Sequence, residues 1–367
     1  MKLLVSLSVA VALAATSIQA ALLPSAINKP TLYIFGDSLS DVGTLRQLTL
    51  GLIPPPPYWE GRFSSGPVWN EYLAKLLGYN LYNKAAGGAT SDNSKSSLTD
   101  FLPIPMPIKI PSTQDQINFF KIINPLYSTL SSTRSLDIAV LEVGANDFFV
   151  QMFKLATNTM TVDSFVETLS NTVINQLDQL RKIGFKNIVV PNLAAIQYTP
   201  MASLLNMQAM ANATVTQYNN VLSTKAQAWA AKNAKDLGFF SIADIGGFVS
   251  LTVNSPAITT ALGLEDVKTS CVGGNVLNLV QAEDKLLALL QLVLDAKDDL
   301  LCSDPSKNYF FDPVHPAERV QRLFGYYGKE VMAAMVQGTT YDLNEANILS
   351  IISKYNLGTP APKPVAI

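Results

Sequence analysis

Apolar positions along the chain fall into two alternating patterns. Short, nearly continuous apolar runs rich in β-branched and aromatic side chains occur at TLYIF (31–35), DIAVLEV (137–143), NIVVP (187–191) and FFSIA (239–243). Runs of this kind, with no polar face, read as strands buried on both sides in a parallel sheet. YNLY (79–82) is a weaker fifth candidate. Between the runs the apolar spacing is helical, over 67–77, 114–124, 161–183 and 206–236. Gly184, between RKI and FKNIVVP, marks a helix stop before a strand. Alternation of this kind predicts an α/β fold: a three-layer α/β/α sandwich around a central, mostly parallel five-stranded sheet. Ligands of such sheets bind at the C-terminal ends of the strands.

Two stretches break the rhythm. LTLGLIPPPPYWEGRFSSGP (48–67) and FLPIPMPIKIP (101–111) carry too many prolines for a regular element. Long loops in a compact domain are usually functional or disordered, and the apolar content here predicts an ordered rim around a site. The amphipathic run EDKLLALLQLVLDAKDDLL (283–301) reads as a core-facing helix of the α/β layers, with a lipid-seeking lid helix as the alternative; it is too short to span a bilayer. Nothing suggests a repeat or an interdomain linker, so residues 21–367 form one domain with a loose tail from about 357.

The first twenty residues change the picture of where that domain works. Lys2, an apolar run and a small-residue exit ending in SIQA have the form of a secretory signal peptide over 1–20, cut between Ser17 and Ala21. The expected location is extracellular. Charged residues make up only 15% of the chain, against about 25% in an ordinary soluble protein, so Ser, Thr, Asn and Gln must carry the surface. The net charge of -2 and the lack of a basic patch argue against nucleic acid as a partner. Two cysteines, Cys271 and Cys302, fit one disulfide in an oxidising compartment, two buried thiols being the alternative. Asn212-Ala213-Thr214 is a possible glycosylation site.

Candidate chemistry collects at the expected strand ends. The first strand runs into FGDSLSDVG, which places Ser38 on a turn at the sheet edge; a plain turn serine is the alternative. The second ends in NKAAGGATSDN, where glycines let the backbone approach something closely. The third ends in EVGANDF, where Asn146 could stabilise an oxyanion or cap the next helix. The chain's one histidine, His315, follows in FFDPVHP, three residues after Asp312. A serine hydrolase needs a nucleophile, a base, an orienting group and donors for the tetrahedral oxyanion. These residues supply all four. Any Ser–His mechanism in this chain must use His315. A single histidine with scattered carboxylates cannot assemble a usual zinc site.

The blocks FGDSLSDVG, NKAAGGAT, VGAND and DPVHP, in this order, resemble the GDSL family of lipases and acylhydrolases in the SGNH hydrolase superfamily. PPPPYWEGRFSSGPVWNEYLAKLLG, TSCVGG and LCSDPSKNYFFDPVHPAE extend the resemblance over roughly residues 31–336. It implies a flavodoxin-like sheet and an acyl-serine mechanism without metal or cofactor. Carried over block by block, Ser38 would be nucleophile and, through its N–H, an oxyanion donor. Gly88, or Gly87 as the lesser choice, would give a second donor and Asn146 the third. His315 would be general base then acid, and Asp312 its orienting partner. The chain departs from the family in HPA for the frequent HPT and in Asn-Lys where an aromatic often follows Asn; the second difference bears on substrate contacts. The expected function is a secreted carboxylic ester hydrolase of lipase or phospholipase type, with transient contact at a lipid surface. A carbohydrate acetyl esterase on plant-wall polysaccharide is the alternative, since Tyr58 and Trp59 could stack on sugars. A non-catalytic secreted binding protein on the same fold is a distant third.

Overall fold

A computed structural model describes residues 29–92, 109–130, 134–273, 278–295, 302–337 and 339–361. The signal-peptide segment and most of the 101–111 loop lie outside these residues. Five strands form one sheet: β1 Thr31–Phe35, β2 Asn80–Asn83, β3 Ile138–Leu141, β4 Asn187–Pro191 and β5 Phe239–Ala243. Their spatial order is β2-β1-β3-β4-β5 and every pairing is parallel. All five expected strands are present, including the weak second one. β3 and β4 are buried along their whole length, which is why their sequences show no polar alternation.

Helices cover both faces. Through the first half of the chain these are α1 Thr44–Leu48, α2 Trp69–Leu77, α3 Thr113–Leu130, α4 Ala145–Ala156 and α5 Val162–Ile183. Then come α6 Pro200–Leu204, α7 Gln208–Lys232, α8 Ile245–Asn254 and α9 Pro256–Ala261. The last are α10 Asn278–Gln281, α11 Lys285–Asp295, α12 Glu318–Val336 and α13 Glu345–Tyr355. A small second sheet pairs β6 Asp266–Ser270 with β7 Asn308–Phe310. One face of the main sheet buries Tyr33, Phe35, Leu141 and Val190 against α3, α4, α5 and α7. The other buries Leu32, Ile34, Val140 and Val189 against Trp69 and Leu73 of α2. This is the α/β/α sandwich that strand alternation implied.

Local signals end elements where expected. Gly184 closes α5 at φ 112°, a conformation that costs glycine little. The chain after α13 departs from expectation: Leu357 is buried, and Arg322 Nη2 donates to the carbonyls of Leu357 and Thr359. These bonds tie Leu357 and Thr359 to α12, and the rest of the expected tail, from 362, lies outside the described residues. Cys271 and Cys302 are joined as a disulfide, linking the end of β6 to the approach of β7. No helix among the described residues is long and apolar enough to cross a membrane.

Candidate active site

Ser38 lies on the turn that leaves β1, where Ser40 N–H closes back on the Asp37 carbonyl. The turn is fixed from below. Gln116 of α3 donates to the Gly36 carbonyl and accepts from the Gly36 N–H, both at 2.9 Å. Beside it, Asp41 accepts N–H bonds from Gly43, Thr44 and Leu45 at the start of α1. Its Oδ2 also accepts the Gly87 N–H at 2.8 Å. One buried carboxylate thus ties the β1 turn to the β2 turn. Burial raises the Asp41 carboxyl to about 6 despite these donors.

The second and third blocks are joined in the same manner. Asn146, in the first turn of α4, donates from Nδ2 to the Ala89 carbonyl at 3.0 Å. Asp147 accepts the Ser91 N–H and hydroxyl. The side chain of Asn146 does not cap α4, whose N-cap is Gly144. Its amide instead stands next to Gly88 at the cavity wall shared with Ser38 and His315. Gly87 is needed for a different reason than donation. A Cβ there would come within 2.2 Å of the Phe63 ring, and its N–H is already held by Asp41. Of the two glycines, Gly88 is the one that lines the cavity.

The final block completes the arrangement. His315 Nε2 is 2.7 Å from Ser38 Oγ, and His315 Nδ1 is 2.6 Å from Asp312 Oδ2. Asp312 Oδ1 accepts the N–H groups of Val314 and His315, so the DPVH loop wraps around its own carboxylate. Tyr58 Oη donates to Asp312 Oδ2 at 2.6 Å. Burial alone would raise Asp312, but the His315 ring and the hydrogen bonds from His315 and Tyr58 hold it below the usual carboxylate range. The Phe63 ring lies against the imidazole, with centroids 5.2 Å apart. Ser38, Asp312 and His315 are each at most 7% exposed.

Beneath the nucleophile sits a pair absent from the sequence reading. Glu142, just past β3, accepts the Ser40 hydroxyl and the Asp37 N–H. Burial and the Glu142 charge push the Asp37 carboxyl well above its ordinary value. Burial raises the neighbouring Glu142 carboxyl as well.

Two cavities flank Ser38. One lies between Trp69, Phe149, Ala194, Phe248, Val249 and Phe324. The other lies under α11, which presents Leu289, Leu290, Leu292 and Val293 to the site. Within the amphipathic run, Lys285–Asp295 is thus a packed helix, as expected, and also one wall of the site, while 296–301 lie outside the described residues. The loop at 48–67 is an ordered rim: Tyr58 and Phe63 are buried. Tyr58 offers no face for a sugar, and the Trp59 ring is occupied by the Arg62 guanidinium at 4.9 Å. Asn212 is exposed on α7, where its Oδ1 accepts from Gln197. Tyr58, Phe63 and Glu142, and the Asp41 bond to Gly87, carried no sequence signal, because the partners are distant in the chain. Only the Pro- and aromatic-rich character of 48–67 pointed toward two of them.

Comparison with known proteins points to one family. The model of the GDSL-like lipase/acylhydrolase family matches residues 32–327. A phosphatidylcholine-sterol acyltransferase of Aeromonas hydrophila is 27% identical over 254 residues, 66% of this chain and 65% of that protein. The chain thus spans slightly under two thirds of that relative. A GDSL esterase/lipase of Arabidopsis thaliana is 24% identical over 321 residues, 78% of this chain and 84% of that protein. Among solved structures, Est24, a carbohydrate acetylesterase from Sinorhizobium meliloti, is 15% identical with a TM-score of 0.38, covering 84% of this chain and all of that one. Likeness at that level carries nothing about substrate. The family match spans most of the chain and contains all four blocks, so the chain belongs to the GDSL-like lipase/acylhydrolase family, and with it to the hydrolases that act on ester bonds.

Proposed function

We propose that this protein is a secreted serine carboxylic ester hydrolase of lipase type, acting on esters with apolar acyl chains. The observation that carries the reading is the unbroken relay Ser38 Oγ–His315 Nε2 and His315 Nδ1–Asp312 Oδ2, at 2.7 and 2.6 Å, beside a largely apolar cavity. His315 takes the hydroxyl proton as Ser38 Oγ attacks the ester carbonyl. The tetrahedral oxyanion is met by N–H donors from Ser38, Gly88 and the Asn146 amide. As the C–O bond breaks, the imidazolium returns its proton to the leaving alcohol, and an acyl-serine remains. Water then repeats the sequence with His315 as base, and the acid is released. Asp312 holds the ring with Nδ1 protonated and Nε2 facing Ser38.

The acyl preference follows from the cavity. Its walls are mostly aliphatic and aromatic, with Thr199 and Gln321 among them, and an acetyl group would leave most of the apolar ones without a partner. Each buried methylene contributes about 0.8 kcal/mol, so longer chains gain binding until the cavity is filled. Export rests on residues 1–20 and on the disulfide, which fits an oxidising compartment. The test is turnover of p-nitrophenyl esters from acetyl to palmitoyl, beside acetylated xylan and a phospholipid. Medium or long chains should be preferred in kcat/KM. A sharp acetyl preference with release of acetate from xylan would replace this reading with a carbohydrate esterase.

A further inference from the structure

We propose that Tyr58 is a positioning residue for this relay, holding the Asp312 carboxylate against His315 and taking up part of the charge on its Oδ2. The inference rests on the ester-hydrolase reading above. Two donors converge on one oxygen: Tyr58 Oη and His315 Nδ1 each lie 2.6 Å from Asp312 Oδ2. Backbone N–H groups of Val314 and His315 occupy the other oxygen. Without the phenol, Oδ2 would keep a single donor and turn its remaining lone pair toward an apolar cluster. That cluster packs Tyr58 with Phe63, Leu290, Val293, Phe311 and the Cys271 sulfur. Both groups are almost wholly buried, Tyr58 at 4% exposed and Asp312 at 2%.

The ring and the hydroxyl of Tyr58 do separable things. The ring stacks edge-on against Phe63 and Phe311 at 6.0 and 5.1 Å, which fixes the Pro-rich loop over the site. Among the described residues the hydroxyl hydrogen-bonds only to the carboxylate. Burial and the Asp312 charge push the Tyr58 phenol well above its ordinary value, so it remains a donor throughout any assay range. A carboxylate beside an imidazole favours the charged ring, and a donor that shares the carboxylate's charge weakens that preference. The other titratable groups that bear on the ring are Glu142 and its partner Asp37, below Ser38. α11 and the two loops packed on Tyr58 present Leu290, Val293, Phe63 and Phe311 to it.

Tyr58→Phe removes the hydroxyl and keeps the ring. The acidic limb of kcat/KM should move upward by about half a pH unit, because the ring now loses its proton less readily. Plateau kcat should fall about 3- to 10-fold with KM nearly unchanged, the pattern of a lost transition-state contribution. Since the chain has one histidine, its low-field imidazole N–H resonance is a single signal, and it should shift in the variant. In the wild-type protein a nuclear Overhauser contact should join that proton to the Tyr58 hydroxyl proton, which keeps the test open if the variant does not fold. A limb and a resonance identical to wild type would overturn the proposal, as would two visible protons with no contact between them. The resonance arm needs no turnover. If Ser38→Ala retained activity, the hydrolase reading would fall while the role of Tyr58 in holding Asp312 would still be decided.

Discussion

Asp41 Oδ2 accepts the N–H of Gly87 at 2.8 Å, joining the turn that carries the serine to the turn that carries Gly88. The carboxylate is wholly buried, and its pKa rises to about 6, against about 3.9 in an unfolded chain. Between those values the folded protein binds a proton that the unfolded chain does not. Stability from this group therefore increases as pH falls from 7 to 5, by about 1 kcal/mol. Thermal unfolding across that range should show the rise, and Asp41→Asn should lack its share while being less stable at pH 7. A stability that declines steadily from pH 7 to 5 in the wild type would contradict this account.

Asn146→Ala tests the third donor. Loss of one oxyanion donor costs about 10²–10³ in kcat with little effect on KM. The Ala89 carbonyl loses a hydrogen bond as well, so a fall in melting temperature of a few degrees is expected. If the melting temperature collapsed while kcat of the surviving folded fraction stayed near wild type, Asn146 would be a structural tie only.

Ala194→Phe tests the inner cavity. Ala194 is half-buried on its wall, so a larger ring fills space that an acyl chain would use. Activity on octanoyl and longer esters should fall at least 10-fold, while acetyl ester turnover stays within about 2-fold. Equal losses on all chain lengths would mean that the acyl chain lies elsewhere.

Removing the disulfide tests its contribution to stability. Cys271 and Cys302 are 31 residues apart, and closing a loop of that length restricts the unfolded chain by about 3–4 kcal/mol. Cys271→Ala with Cys302→Ala should lower the unfolding free energy by that order. Two alkylatable thiols in native wild-type material would show that the bridge is absent.

Much of this architecture can be read along the chain, and the reason is burial. NIVVP marks β4 to the residue because that strand is covered on both faces, and FFSIA marks the half-buried edge strand β5. α12 is harder to see. Its buried Val320 and Leu323 are interleaved with Arg319, Gln321 and Arg322, which are also buried because they bond to other parts of the chain. The residues brought together at the site follow from block order and from there being one histidine. Tyr58 does not, since its partner Asp312 is 254 positions away. The proline-rich loop signals a rim, but nothing local says which aromatic points inward. Glu142 is similarly silent: a carboxylate at a strand end reads as solvated, and only the fold places it under Asp37.

The most direct measurement is covalent capture. A long-chain p-nitrophenyl phosphonate should add one phosphonyl group per molecule, with loss of p-nitrophenol, and peptide mass spectrometry should place it on Ser38. Ser38→Ala should take up no label. His315→Gln should be labelled more slowly by at least about 10³, because Ser38 Oγ loses its proton acceptor. Label on another residue, or wild-type labelling of the His315→Gln protein, would contradict the Ser38–His315 relay.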